Sequence, residues 1–469
     1  MGWFDGGARS PKGYPAADPA ALRAELDRRL GGVQRHRLLA GFPMTPVMGE
    51  ARRGTVWPQR TEPRRPVILG VLPHTFCAPA VRGCGFCTFP HEAPDKGQML
   101  PLAAQIAAEF ASRQHLWRHR IIPAVYLGGG TANLCSTPAL AMILGALAAN
   151  NLHGAELTLE GAPRFFSAEQ LELLASIPGA QPRLSMGVQT FDEAALARMG
   201  RQHIGSPAQV QAALALAQAA GAATSVDLLI NLPEQTPAAM RADVARAVAL
   251  GVDQICVYHL VLRAGLGVPW AEQPATLAAL PDNATAFEHW RGVRAALLEA
   301  GYTQTTLTNF ERPGARPFRY ERLSFAPHTC DALGFGPGAL SGLNFGGAER
   351  ALKWLNQPRS ADYLRCGSGK VARLFLYEPH EEALMQLTRG LALLEQPTGE
   401  GPLAAHLHLY GPELDLLDEV GLIERPPGAL RLTERGMFFA DSVAGLLAAR
   451  AVVHRRAAGL NEPAELHMG

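Results

Sequence analysis

The chain has 469 residues, 48% of them hydrophobic and 18% charged, which suits roughly two to four globular domains with at least one large core. With 43 basic and 42 acidic residues and a formal net charge of +1, it lacks the basic surplus that nucleic acid or an acidic membrane surface selects. Its seven cysteines, an odd number with three clustered, fit a reducing compartment and a metal site better than a disulfide framework.

The first ten residues lack the basic-then-apolar pattern of a signal peptide, and no uncharged apolar run reaches membrane-spanning length, so the expectation is a cytoplasmic protein. Residues 1–65 combine one helix, predicted near Pro19 to Leu39, with Gly/Pro-rich and Arg-rich stretches, and read as an extension wrapping a core. From Val67 onward, short aliphatic runs alternate with long amphipathic segments. Strands are predicted at Val67 to Leu72, Ala124 to Leu127, Glu156 to Leu159, Arg183 to Val188, Thr224 to Ile230 and Gln254 to His259. Six such strand-helix units predict an α/β core over residues 66–310, an incomplete barrel or open parallel sheet, whose ligand site lies at the C-terminal ends of the strands.

Residues 311–370 carry much Pro, Gly and aromatic character and no long periodic segment, and read as a connecting segment covering the site. Beyond them, helices are predicted at Glu381 to Leu394, Leu403 to Val420 and Glu434 to Arg450. A hairpin around Pro426-Pro-Gly428 makes residues 371–469 a winged-helix-like α+β domain. That module has no concentrated basic recognition helix, which argues against DNA binding.

Cys77, Cys84 and Cys87 stand in a C-x6-C-x2-C pattern directly after the first strand. Three thiolates this close suit a [4Fe–4S] cube with one iron left open. A closed zinc site completed by His74 or His91 is the alternative from the cysteines alone. The glycines of Tyr126-Leu-Gly-Gly-Gly-Thr131, at Gly128, Gly129 and Gly130, end the second strand and let backbone groups approach a ligand closely. Glu160, Gln189 and Asp227, on successive strand units, offer oxygen acceptors for hydroxyls or an ammonium, and Arg201 suits a carboxylate. Cys135, and Cys330 with His328 beside it, are candidate carriers of a hydrogen or proton.

These motifs, from about Val67 to Arg450, resemble the radical S-adenosylmethionine (radical SAM) superfamily. Within it they resemble the oxygen-independent coproporphyrinogen III oxidase-like, or HemN-like, branch. The resemblance rests on the cysteine loop with Phe86, Leu127-Gly-Gly-Gly-Thr131, Leu157-Thr-Leu-Glu160 and Arg183-Leu-Ser-Met-Gly-Val-Gln-Thr-Phe-Asp192. It continues through Met199-Gly-Arg-Gln-His203, Val226 to Thr236, Asn309 to Gly314, Gly334 to Ala339 and Arg431 to Gly436. It implies a partial (β/α)6 barrel in which Cys77, Cys84 and Cys87 hold the cluster and SAM chelates the open iron. Cleavage of SAM then gives methionine and a 5′-deoxyadenosyl radical. By position, Gly128 to Gly130 would meet the SAM amino group, Glu160, Gln189 and Asp227 its polar groups, and Arg201 its carboxylate. Gly129 and Thr131 sit where this branch contacts a second SAM. A flavodoxin or ferredoxin is the implied electron donor.

Three departures separate the chain from that branch. Six residues, not three, lie between the first two cysteines; Val71 stands where porphyrin-decarboxylating members have tyrosine; and Gly336-Pro-Gly-Ala-Leu-Ser341 lacks the histidine of haem-linked relatives. The expectation is therefore chemistry like that of the branch's class C methyltransferases and cyclopropanases, using two SAM molecules. A haem-binding chaperone and a tetrapyrrole-modifying enzyme are the alternatives.

Overall fold

The computed structural model describes residues 11–34, 42–51, 62–77, 84–89, 91–344, 350–367 and 370–459. The six expected strands form as β1 (Val67–Val71), β2 (Ala124–Leu127), β3 (Glu156–Gly161), β4 (Gln181–Gln189), β5 (Ala223–Ile230) and β6 (Gln254–His259). They pair in parallel in chain order. Because side chains alternate along a strand, each presents two chemically different faces. Leu157 and Leu159, Leu184 and Met186, and Val226 and Leu228 join the main apolar core. Thr158, Glu160, Arg183, Ser185, Ser225 and Asp227 take the opposite face, which is therefore polar. Outer helices such as Lys96–Ser112 and Thr137–Ala148 bury Leu102, Ile106, Leu140 and Leu144 in the same core.

The segment expected to connect and cover instead extends the sheet. After β7 (Asn309–Glu311), antiparallel to β6, the chain forms β8 (Asp331–Phe335), β9 (Leu340–Leu343) and β10 (Leu352–Asn356), followed by β11 (Val371–Leu376). Strand β8 pairs parallel to β1, with Asp331 opposite Val67 and Phe335 opposite Val71, so a seventh parallel strand joins the six. Strands β9 to β11 continue antiparallel. Gly334 permits the turn back, because a Cβ there would lie 2.3 Å from Leu340 O.

The N-terminal helix is Pro19–Gly31, shorter than expected, and residues 35–39 of the predicted span lie outside the described residues. It packs against the long helix Ala440–Ala457, with Ser442 Oγ donating to Arg29 O at 3.2 Å. Gly49–Glu50 pairs with β11, so the N-terminal region joins both the sheet edge and the C-terminal helices. There, Ile423–Glu424, Ala429–Leu432 and Glu395–Pro397 form a three-stranded antiparallel sheet. The single helix expected from Leu403 to Val420 is divided into Gly401–His406 and Gly411–Glu419. No helix among the described residues is long and apolar enough to cross a membrane.

Candidate functional site

One cavity of about 240 Å³ opens at the C-terminal ends of the parallel strands. Its wall includes Cys77, Cys84 and Cys87, Phe86, Gly129, Gly130 and Thr131, together with Glu160, Gln189, Arg201 and Asp227. Eleven of the twelve expected cluster and cofactor positions thus share one space. The twelfth, Gly128, lies just behind it, where a Cβ would come 2.4 Å from Glu160 Oε2. Ala162 and His91 also line the cavity.

Both ends of the cysteine loop are fastened. Cys77 N donates to Glu92 O at 3.0 Å, Glu92 N to Thr75 O at 2.9 Å, and Thr131 N to Phe76 O at 2.9 Å. The Glu92 carboxylate takes Ser360 N at 2.9 Å and the Thr75 hydroxyl. At the other end Cys84 and Gly85 both have positive φ, +51° and +75°. Gly85 is required there, since a Cβ would lie 2.3 Å from Trp270 Nε1. Trp270 N donates to Gly85 O at 2.9 Å, and its ring lies 5.8 Å from that of Phe86. The intervening residues 78–83, where the long spacing lies, fall outside the described residues.

Each polar wall residue has a local reason for its position. Gly130 lets the loop after β2 lie against the backbone of Phe76, whose O would be 2.5 Å from a Cβ. The register of β4 against β5 shifts between Gly187 and Gln189, and Gln189 takes φ +72°. Such an irregularity re-aims a side chain, here into the cavity. Gly129 N donates to Glu160 Oε2 at 3.4 Å. Burial raises Glu160 from 4.5 to about 7, helped by the nearby Asp227 charge and opposed by hydrogen bonds from Gly129 and Tyr126. Burial also raises Asp227 to about 6, against the pull of Arg183. Burial pushes the Cys87 thiol up to about 11, the environment of a thiol whose thiolate needs a metal to form.

The donor set fits a cube better than closed zinc. Among the described residues, no three His, Cys, Asp or Glu side chains converge as they would on one ion, whereas a cube spreads its thiolates over separate irons. His74, one suggested fourth zinc ligand, is buried and stacked on Phe76 with ring centroids 5.0 Å apart, and does not line the cavity. His91 does, with Nδ1 3.0 Å from Phe89 O.

The three candidate carriers are not brought to this cavity. Cys330 sits at the N-terminal end of β8, with Ile68 and Ala124. The cysteine loop leaves the C-terminal end of the neighbouring β1, roughly 13 Å away along the strands. Cys330 lines a different cavity of about 300 Å³ with Tyr320, Lys353 and Arg389, and burial holds its thiol near 12. His328 faces Glu400, its Nε2 3.9 Å from Oε2. Cys135 is packed in the apolar core with its thiol also pushed up to about 12.

Trp270 and Asn133 complete the site without having been expected from sequence. Asn133 clamps the strand end at Ala162, donating from Nδ2 to Ala162 O at 2.9 Å and accepting from Ala162 N at 3.1 Å. The legible signal for Asn133 was its place three residues after the glycine run; nothing in the local sequence marks Trp270.

The fold and cavity define a radical SAM domain, and residues 74–247 match the sequence model of the Radical SAM superfamily. The chain resembles that superfamily over this segment and curated relatives over about half its length. It is 31% identical over 234 residues to the bovine "Radical S-adenosyl methionine domain-containing protein 1, mitochondrial" (Bos taurus), covering 50% of this chain and 52% of that one. It is 31% identical over 241 residues to "Heme chaperone HemW" of Synechocystis sp., covering 49% and 57%. The matches thus span little more than half the length of these curated relatives. The solved structure of coproporphyrinogen III oxidase (HemN) from Escherichia coli, described as a radical SAM enzyme, superimposes with a TM-score of 0.72 at 20% identity. It covers 87% of this chain and 96% of that one, a likeness of fold.

Proposed function

We propose that the chain reductively cleaves SAM at a [4Fe–4S] cluster. The observation that carries this reading is the single cavity lined by the three cysteines, the glycine loop, Glu160, Gln189, Arg201 and Asp227. A bound cluster would supply one electron to SAM, the chemistry that gives methionine and a 5′-deoxyadenosyl radical. Cys77, Cys84 and Cys87 would hold three irons. The Gly128 to Gly130 backbone admits the amino end of SAM without a Cβ in the way, and Glu160, Gln189 and Asp227 offer acceptors to its hydroxyl and ammonium groups. The walls around them orient the cosubstrate and keep the radical from water.

Within this function, a second SAM would contribute its methyl carbon to methylate or cyclopropanate an sp2 carbon of a small natural-product substrate. Val71 in place of tyrosine and Leu340 in place of histidine support this over porphyrin decarboxylation and haem transfer. A cytoplasmic setting with a flavodoxin- or ferredoxin-type donor suits the reaction. The test is anaerobic reconstitution with reductant and SAM, quantifying 5′-deoxyadenosine and S-adenosylhomocysteine with candidate substrates. Paired formation supports the two-SAM transfer, and deoxyadenosine alone supports hydrogen abstraction only. If neither product forms from a cluster-loaded chain, the reading fails.

The relatives named as haem chaperones support a second reading, haem binding without SAM turnover. Haem titration followed by absorbance distinguishes it: stoichiometric haem uptake without SAM cleavage would favour the chaperone.

A further inference from the structure

Arg201 is 8% exposed, and its three nitrogens have three different surroundings. Nη1 donates to Cys84 Sγ at 3.2 Å and Nη2 to Gly187 O at 2.5 Å. Nε is buried with no partner. The guanidinium is held in place from its own backbone, since Arg201 N donates to Leu196 O at 2.7 Å and Arg201 O accepts from Ile204 N at 2.9 Å. Across the cavity, Thr131 Oγ1 lies 3.4 Å from Cys77 Sγ. A thiolate only accepts hydrogen bonds, so once Cys77 is a ligand the hydroxyl must be the donor. Two of the three thiols therefore each have a built side-chain donor, one of them cationic, while Cys87 has the Phe89 backbone.

We propose that Arg201 and Thr131 are positioning residues that set the reduction potential of the cluster through its Cys84 and Cys77 sulfurs, and that the unpartnered Arg201 Nε–H ties this control to the carboxylate of bound SAM. The inference rests on the proposed function. Hydrogen bonds to the sulfurs and nearby charge are main determinants of cluster potential. Reduction adds one negative charge to the cluster, and a cation donating to a ligand sulfur stabilises that state, so Arg201 raises the potential. A SAM carboxylate on the same guanidinium neutralises part of that charge and weakens the effect. No bond to Arg201 or Thr131 is made or broken; the electron enters and leaves through the cluster alone.

The test is a redox titration of reconstituted full-length chain, followed by electron paramagnetic resonance, with iron and sulfide counted per chain. Arg201→Met is expected to shift the oxidised-to-reduced ratio at fixed potential tenfold toward oxidised, a midpoint about 59 mV lower for one electron. Thr131→Val shifts it the same way by less, and Thr131→Ser restores the parent value. Added SAM is expected to narrow the gap between parent and Arg201→Met. Should Arg201→Met not load, Arg201→Gln and the Thr131→Val and Thr131→Ser pair carry the comparison. Loaded variants with the parent midpoint overturn this inference alone. A parent chain that takes up no cluster overturns the proposed function and this inference together.

Discussion

Glu160→Gln is the substitution whose effect the geometry predicts most fully. Glu160 is at the end of β3 with the Asp227 charge nearby, and its carboxyl is raised from 4.5 to about 7, first by burial and then by that charge. At pH 5 the folded chain still holds the proton that an unfolded chain has largely released. As pH rises through the window from about 4.5 to 7, the folded state therefore loses stability relative to the unfolded one. The full difference, ~3 kcal/mol at 1.36 kcal/mol per pH unit, is reached above pH 7. Against a typical total stability of about 5–15 kcal/mol this is large. Glutamine keeps the shape and an oxygen to accept from Gly129 N, but carries no charge. Urea unfolding of the cluster-free chain should find Glu160→Gln near the parent at pH 5 and more stable by up to ~3 kcal/mol at pH 8. SAM binding should weaken in the same variant, because the acceptor for its hydroxyls is then neutral. Equal stability differences at both pH values, or a variant less stable at pH 8, would refute the reasoning.

Cys84→Ala removes a thiol that is 6% exposed and contacts Arg201; iron per chain after reconstitution should drop to background, and unchanged iron would mean the cysteines are not the ligands. Trp270→Ala empties the cover over Gly85, where truncating a large buried aromatic typically destabilises by about 3–5 kcal/mol. Because Trp270 is 9% exposed and its burial is not complete, the lower end of that range is expected in urea unfolding, with faster cluster loss in air measured by absorbance decay.

The parallel strands were legible because each apolar run is short, aliphatic and bounded by turn residues, and all six form within two residues of their expected ends. Their inner polar face was less so. Thr158, Ser185 and Ser225 are small enough that the runs read as continuously apolar, although period-two alternation was present. Strands β8 to β10 were hidden by composition. Gly334 and Gly342 within Asp331 to Leu343 resemble a loop, and only the pairing of β8 with β1 makes strands of them. That pairing also decides where Cys330 lies, since the strand carries it at the end away from the cysteine loop. The cavity-lining residues emerged from motif order, whereas the turn that carries Trp270 approaches the cysteine loop only through the fold.

The six-residue spacing between Cys77 and Cys84 is best understood from its two fixed ends. Cys77 is tied to the sheet through Glu92, Thr75 and the Thr131 backbone, and Cys84 through Trp270, Gly85 and Arg201. If those contacts, and not the length of the link, place the thiols, the spacing can change without moving them. Halving a flexible link alters its closure entropy by only ~0.6 kcal/mol, well below the effect of losing either anchor. Deleting Pro79 to Val81 would restore the three-residue spacing of the family loop. The shortened chain should then load the same iron per chain, with a reduction potential unchanged from the parent, since the Thr131 and Arg201 donors are untouched. Loss of the cluster would show that the longer link itself helps set the sulfur positions, and that the anchoring contacts are insufficient. A loaded cluster with an altered potential would show that the link lies close enough to change the polarity around the sulfurs. Either result would move the origin of this chain's difference from the fastened ends of the loop into residues 78–83.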